Sequence, residues 1–531
     1  MGGKTSFHSG FLTTPFAQYQ GDKSPELSKD DLDWLIGKLY HFVMNTPKAS
    51  DLLQSNFSYW LTYALQSAVS LYDEGAVQQI CSLFYQLNSA ENPDILISIF
   101  AQSLGGKFAG QTVAYAWMDS LFSATYDPRN TSAVVAIHYI FSQLLEQKGD
   151  ALSNVVTKNM EEGSEKGKNA ILVLTRALAN ATTPTTQSTA ELLAKLLMGF
   201  VKKSPAILGT SLTQEIRHGS FQGKSGVYVL AGAINNAVDN NAKLIQLISD
   251  ILIDLNKICS QDLIDALCKI HDQGPYKGKH VLHIILISLV SAAYSRRSSE
   301  AVKTLTHLVH HLWKKDTSEK VNLALMDTIH DGEHVNLNGI MMLVRAMVAA
   351  IDHQIPIAQI SDFLVDLIQT GPKGLGDAFM HCAPESTIGD YTHSPLVLLI
   401  SALQNTQDVV SKTNVHDVII KLAGSKSAIE MLFSLSGDEK LFFIGELKKV
   451  HSLTDKQVTW LTETDSKTLK ASSASLDSRF FLGKNSMCKG PHFFATFPPI
   501  PKADEQKNSY SKEDSYQRHD DREVSFGCCS L

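Results

Sequence analysis

The chain repeats itself: residues 56–68 (NFSYWLTYALQSA), 169–181 (NAILVLTRALANA), 225–237 (SGVYVLAGAINNA) and 394–406 (SPLVLLISALQNT) align without a gap. The anchor is a small residue followed by a large apolar one, at Ala64-Leu65, Ser120-Leu121, Ala177-Leu178, Ala233-Ile234, Ser288-Leu289, Ala346-Met347 and Ala402-Leu403. Successive anchors are 56, 57, 56, 55, 58 and 56 residues apart. Three residues before each anchor stands another large apolar residue: Leu61, Trp117, Leu174, Leu230, Ile285, Leu343 and Leu399. That offset fixes one face of a helix, and the small residue predicts close approach to a neighbouring helix. A unit of this length cannot bury its own apolar face, so the copies must stack into one continuous core.

Each period continues with a second amphipathic segment, as at 190–203 and 301–315, and a third, as at 260–271 and 317–330, which predicts three helices per repeat. Between a third helix and the next first helix lie paired glycines: Gly106 and Gly110, Gly163 and Gly167, Gly219 and Gly223, Gly274 and Gly278. They predict left-handed caps that end the third helices. A helix over 28–45, with Ser28 as its N-cap, is expected to close the first repeat, and residues 441–470 the last.

Across about residues 45–440 this arrangement resembles the armadillo and HEAT class, with a longer period than is usual for either. The resemblance implies an all-α, right-handed α-solenoid of about seven three-helix repeats over a domain at 28–470, with a protein-binding surface. Composition agrees with a large core, at 531 residues of which 44% are hydrophobic. The 47 basic and 54 acidic residues leave a net charge of −7, which speaks against a polyanion-binding surface, so no nucleic acid is expected as a partner. Cys81, Cys259, Cys268 and Cys382 stand alone on apolar stretches, with neither a disulfide framework nor a metal-ligand spacing, and fit a reducing compartment. No apolar run reaches the roughly 18 residues of a membrane span, and residues 1–27 lack the order of a secretory signal. They read as a flexible segment before a soluble body.

The two ends carry lipidation patterns. Gly2 with Ser6 satisfies M-G-x-x-x-[ST], the N-myristoylation pattern. The terminal Cys528-Cys529-Ser530-Leu531 is a C-a-a-X-like box with Cys528 as prenyl acceptor, Ser530 in a place that is usually aliphatic, and Cys529 open to palmitate. One acyl chain holds a protein marginally, whereas two give stable attachment, so the pair implies a membrane partner through lipid on a cytosolic leaflet. Residues 471–531 lose the helical period and read as a disordered tail. Within it Phe497, Pro498, Pro499, Ile500 and Pro501 resemble the F-P-x-Φ-P ligands of EVH1 domains, which implies an EVH1-domain protein as partner. The acidic stretch 513–523 near an apolar end resembles the translocation signals of Legionella-type effectors, some of which carry prenyl boxes, and implies action inside a eukaryotic host.

Catalytic motifs fail on spacing. Gly219, Gly223, Lys224 and Ser225 imitate a phosphate-binding loop with one residue too few between the glycines and no preceding strand. His330, Glu333 and His334 spell the inverted zinc-protease motif, but across a repeat junction where both histidines cannot share a helical face. His307, His310 and His311 recur at helical spacing and read as filling beside Leu308 and Trp313, and Cys382 after His381 reads as a plain thiol. No catalytic residue, metal or cofactor is expected. The function expected is a membrane-anchored protein scaffold or adaptor. The alternatives are a cytosolic trafficking- or transport-receptor-type solenoid without lipid, and an enzyme on an unfamiliar helical scaffold.

Overall fold

The structure, a computed structural model, describes residues 27–45, 56–88, 94–163, 165–217, 222–274, 276–295, 298–331, 334–382 and 393–463. Every regular element among them is helical, and the only β-type pairing is isolated bridges. The chain divides into two compact units, Met1–Met431 and Leu432–Leu531. The first is an all-α, solenoid-like stack of repeats.

The anchor column builds one layer. The first helices of the seven repeats are Phe57–Ser70, Val113–Ala124, Ala170–Asn180, Gly226–Ala237, Val281–Tyr294, Gly339–Asp352 and Pro395–Asn405, and each packs on the next. The small anchors Ala64, Ala177, Ala233, Ser288 and Ala346 are fully buried, as are Leu61, Trp117, Leu174, Leu230, Ile285, Leu343 and Leu399 three residues earlier. With no side chain beyond Cβ or Oγ at the crossing, neighbouring backbones close up and the large residues on either side interlock. Ser120 and Ser288 keep their hydroxyls satisfied by donating back to Ala116 O and Ile284 O, 3.0 and 2.8 Å away.

The second helices form the other layer: Glu74–Asn88, Thr131–Val156, Gln187–Lys203, Ala242–Asn256, Ser299–Lys315, Ala358–Thr370 and Val409–Ala423. Each packs on the first helix of its own repeat and on the next second helix. Polar pairs tie this layer across repeats, including Glu191 to Lys243 at 2.7 Å and Gln246 to Thr304 at 2.8 Å. The third helices are short: Ile95–Ala101, Pro205–Thr213, Ser260–Leu267, Lys320–Met326, Leu375–Met380 and Ala428–Ser434. In the second repeat the second and third helices run together as Thr131–Val156, kinked where Lys148 takes φ −137° and ψ 41°.

Helix Lys29–Asn45 covers the first repeat as expected, packing on Phe57–Ser70 and Glu74–Asn88. Ser28 Oγ accepts from Asp31 N at 3.2 Å and donates to the Asp31 carboxylate at 2.7 Å, a side-chain cap in the place the sequence assigns to it. In the second unit, Gly437–His451 packs on Asp455–Glu463, and Lys448 meets Asp455 at 2.7 Å. Two sequence expectations are corrected. The third helices stop at Leu267 and Met326, four residues short of the ends expected at 271 and 330. The paired glycines therefore do not cap them, because the intervening residues belong to a different structure.

Replacing Ala233 by Leu forces a branched side chain into the crossing of Gly226–Ala237 with its neighbours and should cost about 1–3 kcal/mol by overpacking. Chemical denaturation of the variant against the parent measures it, and an unchanged midpoint would contradict the packing role of this column.

Candidate functional site

The residues between a third helix and the next first helix form a small backbone hairpin that recurs through the stack. In the third repeat Met160 N donates to Lys168 O and Gly167 N to Met160 O, both at 2.8 Å. Ile216 with Lys224 and Gly223, His271 with Lys279 and Gly278, and Ile329 with Leu337 and Asn336 make the same two bonds at 2.7–3.1 Å. The turn demands left-handed backbone: Gly167, Gly223 and Gly278 have φ of 80°, 77° and 73°. In the next repeat Asn336 holds the place with φ 66°, since asparagine tolerates this region better than other side chains.

The hairpin folds over the first helix of the preceding repeat. Phe108 lies edge-on to Tyr59 at 5.7 Å while Lys107 sits 3.9 Å over the Tyr63 ring, and Tyr276 stands 5.7 Å from Tyr228. At the equivalent place Glu165 accepts from Tyr115 OH and from the buried Lys168 Nζ at 2.8 Å. Burial pushes the Glu165 carboxyl up, but the bonds from Lys168 and Tyr115 and the charges of Lys168 and Arg176 outweigh it and leave it below its usual range.

One residue after the hairpin comes an N-cap. Thr112, Asn169, Ser225, Asn338 and Ser394 accept from the backbone N–H of Tyr115, Leu172, Tyr228, Met341 and Val397. Two of them also reach the third helix of their own repeat: Asn169 Nδ2 donates to Ser211 Oγ at 2.9 Å and Asn338 Nδ2 to Ala378 O at 3.2 Å. His280, in the same column, places Nε2 3.1 Å from Asp327 Oδ2 and Nδ1 against Cys268 O. This column was missed in the sequence, although a polar residue directly before each first helix was there to be read.

Hairpin bases and third helices together line a row of open clefts from the third repeat to the fifth. One of about 390 Å³ lies between Asn159, Lys166 and Arg217, one of about 340 Å³ between Glu215 and Asp262, and one of about 680 Å³ between Lys269, His280 and Leu323. Rungs cross from repeat to repeat along the row, with Asn159 donating to Gln214 at 3.4 Å, Lys269 on Glu215 at 2.5 Å and Lys320 on Asp265 at 2.6 Å. Leu323, 63% exposed, and Ile270, 42% exposed, stand among these charges. Mixed charge with isolated apolar side chains suits a polypeptide ligand better than a small apolar one.

The chemistry weighed in the sequence takes other roles. Lys224 and Ser225 of the loop-like motif are occupied, the first lying 5.7 Å over the Tyr228 ring and the second capping a helix, while Gly219 falls outside the described residues. His330 and His334 are not helical, His334 having φ 69°, and Gly332 and Glu333 lie outside the described residues. His310 stacks on Phe363 at 4.8 Å and meets Asp366 Oδ2 at 3.0 Å, which binds the fifth repeat to the sixth. Cys268, His280 and Asp327 come together without a nucleophile geometry: the imidazole meets the Cys268 carbonyl rather than its sulfur, and burial, with Asp316 and Asp265, pushes the thiol up to about 12. Among the described residues no three His, Cys, Asp or Glu side chains are placed to hold a metal ion, and no helix is long and apolar enough to cross a membrane. Gly2, Phe497, Pro498, Pro499, Ile500, Pro501, Cys528 and Cys529 lie outside the described residues.

No protein-family model, no curated protein and no solved structure matches the chain.

The glycine positions separate backbone conformation from packing. At Gly278 a Cβ would fall 2.6 Å from Asp331 N in the next hairpin, whereas at Gly223 none of the described residues comes within 4 Å. Gly223→Ala should therefore cost only the left-handed penalty, about 1–2 kcal/mol, and Gly278→Ala that much plus the overlap with Asp331. Paired denaturation curves give the comparison, and equal losses would contradict the close stacking of these hairpins.

Proposed function

We propose that this chain is a protein-binding helical-repeat scaffold held on the cytosolic leaflet of a eukaryotic membrane by lipid. The single observation that supports the protein-binding half most directly is the row of clefts at the repeat junctions. It presents the same elements, a hairpin base and a third-helix edge, again and again to one long ligand. A stack of this kind offers an extended surface rather than a pocket, and its chemistry is chosen by the side chains placed on the common frame. The reading assigns the chain binding rather than catalysis.

The membrane half rests on the two ends. A myristoyl group on Gly2 and a prenyl group on Cys528, with palmitate on Cys529 as a third, would together hold what one chain holds only reversibly. Phe497, Pro498, Pro499, Ile500 and Pro501 would recruit an EVH1-domain protein close to that surface, where tethering supplies effective concentration. The acidic stretch 513–523 favours a chain delivered into a host cell over an endogenous one.

Expressed in a eukaryotic cell, the full chain should sediment with membranes. Gly2→Ala or Cys528→Ser alone should release part of it, and the double variant should be in the supernatant. A parent chain found wholly in the supernatant would remove the lipid anchor from the account and leave a free scaffold.

A further inference from the structure

The hairpins are not equally close along the stack. Gly110 and Gly278 each have the next hairpin's backbone against them, where a Cβ would fall 2.6 Å from Glu162 O or from Asp331 N. Gly223 has the same place and the same left-handed backbone in the fourth repeat, yet none of the described residues comes within 4 Å of the Cβ position. Here the next hairpin is met by a side chain instead, a Cβ at Gly274 falling 3.3 Å from Lys224 Nζ, and beside it lies a cleft of about 340 Å³ between the third helices of the third and fourth repeats.

Its lining is acidic. Among the described residues that line it, Glu215, Asp262 and Asp265 stand against Lys269 as the one cationic side chain. Two of the three carboxylates are engaged, Glu215 by Lys269 at 2.5 Å and Asp265 by Lys320 at 2.6 Å. Asp262 has no ion-pair partner among the described residues and is exposed to the cleft. A second observation, independent of the carboxylates, comes from His271. It also lines the cleft, is only 5% exposed, and its Nε2 is buried with no hydrogen-bond partner among the described residues. Its ring packs on Tyr228 at 4.3 Å, and burial, with the nearby charge of Lys269, pushes it down to about 4, so it is neutral at physiological pH. A neutral imidazole has an acceptor nitrogen to offer, and native structures rarely leave such a group without a donor.

We infer that this cleft takes an arginine side chain of a partner protein, its guanidinium paired with Asp262 and donating to His271. The match is one of charge and of donor number. A guanidinium is a planar cation with five N–H donors, enough to engage a carboxylate with two of them and still reach a second acceptor. An ammonium group would satisfy Asp262 as a point charge but spans less of the site. The inference rests on the protein-binding reading above and gives that partner a chemical character.

The test is saturation-transfer NMR on the full chain with a seven-residue glycine-serine peptide carrying one central arginine. Transfer to the arginine side-chain protons is expected, at least fivefold weaker for the same peptide with citrulline in place of arginine, and weaker by a similar factor for Asp262→Asn. Asp262 is an exposed surface residue, so that variant should keep the parent's melting temperature and report on binding alone. His271→Gln, which retains an acceptor, should bind better than His271→Phe. Equal signals from the citrulline peptide, equal signals from Asp262→Asn, or no transfer to arginine at all would each overturn the assignment. A failure here removes arginine from this one cleft and leaves the other clefts of the row, on which the protein-binding reading also rests, so the two failures are distinguishable.

Discussion

The fold depends on how closely the first helices approach one another. At each crossing an alanine or serine meets the neighbouring helix, and the large residues around it are buried almost to the last square ångström. Full burial of one such side chain is worth about 1.5–3 kcal/mol, whereas a single hydrogen bond nets about 0.5–1.5 kcal/mol. Each repeat repeats that burial, so the first-helix layer supplies the stability. The hairpins and N-caps at the junctions decide where each helix starts and in which register it meets the next.

That division of labour explains what the sequence could reveal. The anchor residues and their partners three positions earlier are a side-chain pattern, and every one of them is buried where the repeat requires. Lys29–Asn45 announced itself through Ser28 and the acidic residues after it. The junctions are made of backbone–backbone bonds that leave almost no side-chain trace, so residues such as Cys268 to His271 pass for the continuation of an amphipathic helix. The glycines were visible, but glycine suits a hairpin turn as well as a helix cap, and at Asn336 the signal is carried by another residue. The merged helix Thr131–Val156 was hidden because a kink at Lys148 does the work of the break found elsewhere.

The cleft at Gly223 was out of reach for a further reason. Whether two hairpins touch is a property of their spacing in the stack, and Gly110, Gly223 and Gly278 have the same local sequence role and nearly the same backbone. Only the structure shows that Gly110 and Gly278 have the next hairpin's backbone against them, while the fourth and fifth hairpins meet through the Lys224 side chain. It also shows His271 as a buried group whose Nε2 has no partner among the described residues. A repeat scaffold gains specificity in this way, by local departures from its own regularity rather than by a dedicated domain.

The central claim is that the repeats share one continuous core in which each is held by its neighbours. Native-state hydrogen exchange of the full chain tests this directly, because stability in such a stack is set by nearest-neighbour interfaces. The account requires the backbone amides of Gly226–Ala237 and Val281–Tyr294, flanked by repeats on both sides, to exchange last and together, with protection falling toward Lys29–Asn45 at one end and Pro395–Asn405 at the other. Seven independent levels of protection, one for each repeat and unrelated to its place in the series, would contradict it.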